Sequence, residues 1–151
     1  MTAIRRLCAS GLGAVLLLHV SSLFADSELD VRDAWIRATV PGQPVAAAYL
    51  TLRSSTHLLL VSARSEVARA VEIHEMSLTD GVMRMRHLES LDVPGGHEIR
   101  MTPGGIHLML LDVRRPLLSG EQVELDLVTV AGDEKPRTTR VRVPVHNEVS
   151  R

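Results

Sequence analysis

From Val31 onward, short runs of Val, Leu, Ile and Thr are separated by clusters of Pro, Gly, Ser and Asp. Within the runs, apolar positions recur at every second residue, the period of a pleated strand and not of a helix. The pattern predicts strands at Val31–Thr39, Ala46–Leu52, Leu58–Ala63, Ala68–Met76, Val82–Leu88, His97–Met101, Ile106–Asp112, Gln122–Val130 and Thr138–Val145. Between them lie Pro41-Gly42, Ser54-Ser55, Thr79-Asp80-Gly81, Pro94-Gly95-Gly96, Pro103-Gly104-Gly105, Ser119-Gly120 and Ala131-Gly132-Asp133, all of which supply turn geometry. Eight or nine strands at this spacing predict an all-β domain, a Greek-key sandwich or small barrel. No internal repeat interrupts the pattern, and residues from His146 to Arg151 read as a short solvated tail.

Alternation also divides each strand into two faces. In Val71-Glu72-Ile73-His74-Glu75-Met76 the apolar face carries Val71 and Ile73, so Glu72, His74 and Met76 share the other. In Ile106-His107-Leu108-Met109-Leu110 the core face is Ile106, Leu108 and Leu110, and His107 and Met109 turn outward as a pair. In Val82 to His87 the methionines and His87 share one face and the arginines the other. Three segments thus offer sulfur or nitrogen donors on a common face.

The N-terminus changes the compartment in which those donors are read. Arg5 and Arg6, the apolar run Leu7–Val20 and the small residues to Ala25 have the form of a secretory signal, with cleavage expected after Ala25. The run is too short and too interrupted for a permanent membrane anchor. Cys8, the only cysteine, lies inside this leader, so the exported residues 26–151 would contain no thiol and no disulfide. Loss of Arg5 and Arg6 leaves 15 basic against 18 acidic residues, and beyond the leader Trp35 and Tyr49 are the only aromatic rings besides histidine. Nucleic acid is not an expected partner of such a chain.

Residues 74–109 hold five of the six methionines and four of the seven histidines. A buried methionine is usually a core filler. His107 and Met109, however, lie opposite a convincing Ile-Leu-Leu face, where a thioether gains nothing from packing. Thioether sulfur and imidazole nitrogen are neutral, soft-to-borderline donors, and two of each suit monovalent copper better than zinc, magnesium or calcium. Outside the cytoplasm they also bind Cu(I) without the disulfide chemistry that would threaten a thiolate pair. Imidazole must be unprotonated to bind, so affinity is expected to fall on acidification. Met76, Met83 and Met101 read as packing or supporting residues, His57, His87, His97 and His146 as surface histidines, and Glu72 and Glu75 as solvated acids, the alternative being that they orient His74, for which Glu75 faces the wrong way.

The pattern His74-x10-Met85-x21-His107-x-Met109 resembles the signature of the periplasmic PCu(A)C copper chaperones. The resemblance extends through Asp33-Ala34-Trp35-Ile36-Arg37-Ala38, Ala46-Ala47-Ala48-Tyr49-Leu50, Val71 to Met76 and Pro103 to Leu110, in the same order. It implies a cupredoxin-like fold, a metal site at His74, Met85, His107 and Met109, and one Cu(I) per chain. It further implies a periplasmic, monomeric carrier that delivers copper toward cytochrome c oxidase, with oxidase subunit II or Sco-type copper proteins as partners. The His- and Met-rich tail of some relatives is missing here, where only His146 remains.

Three other functions compete with delivery. A blue-copper electron carrier needs a cysteine thiolate, which residues 26–151 lack. An enzyme is not expected, because no Ser/His/Asp order, cysteine nucleophile or close carboxylate pair stands in a recognisable setting. A copper-sequestering or resistance protein would use the same site as a chaperone, and the sequence leaves those two open.

Overall fold

A computed structural model describes residues 29–147; the expected leader with Cys8 and the last four residues lie outside the described residues. The chain forms β1 (Leu29–Arg37), β2 (Val45–Ser54), β3 (Leu58–Arg64), β4 (Ala70–Thr79), β5 (Val82–Leu88), β6 (Leu91–Val93), β7 (Glu98–Met101), β8 (Ile106–Leu111), β9 (Gln122–Val130) and β10 (Arg137–His146). The architecture is all-β, as the alternation predicts. The additional strand is β6, whose Leu91 and Val93 are buried opposite Leu60 and Leu58. Its three residues carry too few positions for alternation to be recognised.

The strands pair in the order β5-β4-β8-β2-β1-β10-β9-β3-β6, and a further pairing of β4 with β3 closes the circuit into a barrel. β1 runs parallel to β10, while the other pairings are antiparallel. Five strands each turn two consecutive inward positions into the core: Leu50 and Leu52, Leu58 and Leu60, Leu108 and Leu110, Leu125 and Leu127, Val143 and Val145. Burying such a side chain contributes about 1.5–3 kcal/mol, so this interior supplies the main stabilising term in a fold without disulfides.

Three local features position the outer face. The Asp80-Gly81 loop, with φ of 52° and 76°, is a two-residue turn of the type that matches strand twist, and it sets Thr79 opposite Val82. That register carries through to Met76 opposite Met85 and His74 opposite His87. β7 and β8 follow one another along the same edge of β2, interrupted by the turn at Thr102–Gly105, where the Gly105 N–H donates to the Thr102 carbonyl. β5, finally, pairs with β4 alone and is exposed on both faces up to its last residue.

Candidate metal centre

Strand registers assemble the site before any side chain is considered. His74 on β4 lies directly opposite His107 on β8 and His87 on β5, so three imidazoles form one row across three strands. Their rings confirm it: centroids are 6.0 Å apart for His74 and His107, and 5.8 Å for His74 and His87. The row continues inward along the barrel wall through Tyr49, 6.2 Å from His107, then Trp35, 4.6 Å from Tyr49, and ends with His146 stacked on Trp35 at 4.7 Å.

The thioethers flank this row on opposite sides. Met109, two residues along β8 from His107, faces Glu72 on β4 and Ala47 on β2 and is half-buried. Met85 lies opposite Met76, on the other side of the imidazole row, and is 49% exposed. With strands about 4.8 Å apart and a rise of about 3.3 Å per residue, the Cα atoms of Met85 and Met109 stand roughly 16 Å apart across a flat sheet. His74, His107 and Met109 are therefore neighbours, and Met85 is the outlier of the four expected donors.

Hydrogen bonds determine which nitrogens are open. The His107 Nδ1–H donates to the Gly105 carbonyl at 3.1 Å, which leaves Nε2 with its lone pair free. The His74 Nε2–H donates to the Glu72 carboxylate at 2.8 Å, which leaves Nδ1 as the acceptor nitrogen. That Nδ1 is buried and has no hydrogen-bond partner among the described residues. A buried unsatisfied acceptor costs about 1–3 kcal/mol unless something binds it. Partners of this kind, a carboxylate and a backbone carbonyl on the far ring nitrogens, fix orientation and tautomer at metal-binding histidines. Among the described residues no three His, Cys, Asp or Glu side chains group closely enough to hold a metal, so an ion here would have to recruit the thioethers as well.

Several sequence expectations change at this point. Glu72 is not a solvated acid but the anchor of His74. His107 does lie on the outward face, yet it is only 4% exposed, because the sheet neighbours that cover it are not visible in its own strand. His146 ends β10 with its ring on Trp35 and is not part of a solvated tail. His87 is exposed but sits squarely in the imidazole row. The signal that could have found it was the Asp80-Gly81 turn, since a two-residue hairpin dictates that 74 and 87 face each other.

Known proteins share this framework. A Cu(I)-form solution structure of DR1885 from Deinococcus radiodurans is 29% identical, with a TM-score of 0.60 over 77% of this chain and 76% of that one. The copper-bound PCuAC domain of PmoF2 superposes with a TM-score of 0.65 at 21% identity, covering 83% of this chain and 97% of that domain. The apo PCuAC domain of PmoF1 superposes similarly, with a TM-score of 0.64 at 24% identity over 80% of this chain and 95% of that domain. The fold is thus that of the PCuAC domains, cupredoxin-like as expected. In sequence, Lxx21020 of Leifsonia xyli subsp. xyli (strain CTCB07), described as a lipoprotein, is 29% identical over 118 residues, 78% of this chain and 69% of that protein. Residues 29–145, from the first strand to the penultimate residue of the last, match the LpqE-like lipoprotein family, and the chain belongs to that family.

Proposed function

We propose that this protein is an extracytoplasmic Cu(I) metallochaperone in which His74, Met85, His107 and Met109 hold one copper ion. The observation that carries the reading is the pair of facing imidazoles whose outer nitrogens are tied to Glu72 and Gly105 while His74 Nδ1 is buried without a partner. Two neutral nitrogens and two neutral sulfurs bind Cu(I) with no formal ligand charge, a donor set suited to a soft monovalent ion. Copper-bound relatives with the same fold support it.

Delivery is favoured over sequestration by the location of the donors. A storage site gains from enclosure, whereas a transfer site must let a partner's ligands enter before its own leave. Here Met85 is half exposed on a strand that pairs on one side only. We infer that Met85 closes the site when copper binds, as the β4–β5 hairpin brings it toward the imidazole row, and reopens it for transfer. Secretion to the periplasm, residues 26–151 as one copper-binding domain and a monomeric state complete the proposal. The recipients are the copper centres of cytochrome c oxidase, reached through subunit II or a Sco-type protein, and the protein is not itself an enzyme.

The test is Cu(I) competition titration under reducing conditions, followed by mixing the loaded protein with the soluble domain of oxidase subunit II. One tightly bound Cu(I) that moves to the acceptor is expected. No stoichiometric binding would remove the reading altogether, and tight binding without transfer would turn it toward sequestration.

A further inference from the structure

Of the two imidazoles that flank His74, His87 is the one that the four-ligand site leaves unused. It stands directly opposite His74 with its ring 5.8 Å away, essentially the distance that separates His74 from His107 on the other side. A metal–nitrogen bond of about 2.0 Å puts two imidazoles that share one ion at separations of this order. His74 is therefore flanked by two imidazoles at equal reach, one buried and one exposed. His87 also shares its face with Met85, two residues away on β5, and Met76 lies beside Met85 across the hairpin. No hydrogen bond or ion pair among the described residues engages its ring. The back of the hairpin is fixed independently, because Arg86 donates to Glu75 at 2.6 Å on the opposite face. The donor side of β5 is thus held in register without being used.

Resting on the function proposed above, we propose that His87, His74 and Met85 form an outer seat where Cu(I) is first captured and from which it is last released. The inner seat is His74, His107 and Met109, with Met85 following. His74 stays bound throughout. Passage inward breaks the bond from copper to the His87 nitrogen as the bond to His107 Nε2 forms, and Met109 then adds its sulfur. Every donor is neutral, so no electron or proton is exchanged and the charge of the centre is unchanged. The exposed edge strand thereby lets the ion cross from solvent to a nearly buried imidazole without being fully released at any point.

The experiment uses Ag(I), a redox-inert stand-in for Cu(I), with imidazole nitrogen shifts followed by NMR, and Cu(I) competition and stopped-flow loading for affinity and rate. Wild type, His87→Ala, His107→Ala and the double variant are compared. His87 lies at the surface, so its truncation leaves the fold intact, which circular dichroism checks. His107→Ala is expected to retain one weakened Ag(I) site that shifts both His74 and His87, and adding His87→Ala should abolish it. His87→Ala alone should keep the wild-type equilibrium affinity within about threefold while loading more slowly by about tenfold or more, the scale on which loss of a supporting group acts at metal sites. If His87 nitrogens do not move with Ag(I), or if its removal changes neither the loading rate nor the residual site, the outer seat is refuted while the four-donor chaperone stands. If the wild type binds no Cu(I), both fall together.

Discussion

Two walls of the same barrel solve the problem of an outward-facing strand in opposite ways. On β9 and β10, Arg140 faces Asp126 and Arg142 faces Glu124 in the pairing register, and each arginine bonds its opposite carboxylate at 2.7 to 3.2 Å. On β5, β4 and β8 the same register sets histidine against histidine and methionine against methionine. Opposite charges saturate each other across a sheet, and such pairs mildly stabilise it. The imidazoles of the donor wall, with centroids 5.8 and 6.0 Å apart, make no hydrogen bond to one another among the described residues. The hairpin β4–β5 shows both solutions at once, with Glu75 and Arg86 paired on one face and His74 and His87 facing each other on the other without a hydrogen bond between them. A cross-strand row of like, soft donors therefore gains little from its own pairing, and under the function proposed above it is where a soft cation would bind.

The largest expected effect breaks that distinction outright. His107→Ala should lower Cu(I) affinity by at least about 100-fold, while the Gly105 carbonyl keeps its bond from the Met76 N–H at 3.1 Å and is not orphaned. Arg142→Ala, on the charged wall, should leave affinity unchanged. Competition titration of both variants decides the matter, and equal losses would mean that the walls do not differ in function.

Glu72→Gln should act more mildly, because it keeps the side chain's shape and removes only the charge that orients His74. A decrease of about 10–100-fold in Cu(I) affinity is expected, with little change in unfolding temperature. A Glu75→Gln variant serves as the internal control, since Glu75 faces Arg86 on the reverse side. An effect at Glu75 as large as at Glu72 would contradict the division of the hairpin into a charge-paired face and a donor face.

Smaller still is the effect of the turn that sets the register. Gly81 has φ of 76°, where a side chain costs about 1–2 kcal/mol, although the space around it is open. Gly81→Val should therefore loosen the hairpin alone, speeding amide exchange in β5 and slowing copper loading while the protection of β9 and β10 stays constant. Uniform loss of protection would instead show that the hairpin is part of the cooperative core.

How far the sequence could be read follows from what each feature depends on. Alternation is local, so Val82–Leu88 and Gln122–Val130 were bounded correctly, and the outward orientation of His74, His107 and Met109 was legible from Ile73, Leu108 and Leu110 beside them. Burial of the outward face is not local. Nothing in Ile106–Leu111 announces that Tyr49, from a strand nearly sixty residues earlier, will lie against His107. Glu72 stays open between solvated acid and partner of His74 for a related reason: a carboxylate two positions from a histidine on one face is ambiguous until the ring's rotation is known. β6 escaped because its Leu-Asp-Val repeats the strand period only once.

The charged wall offers the weakest test, and its sign can be worked out. Hydrogen bonds from Arg140 hold the Asp126 carboxyl below its ordinary range; desolvation opposes them, and the guanidinium's charge adds a smaller lowering effect. In the unfolded chain the ordinary value returns, so between the two values the unfolded state binds the extra proton. The contribution of the pair is thus complete above the ordinary carboxylate pKa of about 3.9 and is lost as pH falls through the lowered one. Arg140 is largely in water, so the effect is small and is screened by salt. Thermal unfolding of wild type and Asp126→Asn across an acid pH series should show a slightly steeper decline in the wild type, and the difference should vanish at high ionic strength. Cu(I) affinity at neutral pH should not distinguish the two proteins. If it does, the charged wall communicates with the donor wall, and the contrast between a surface that satisfies itself and one that carries the proposed copper site is less complete than the registers imply.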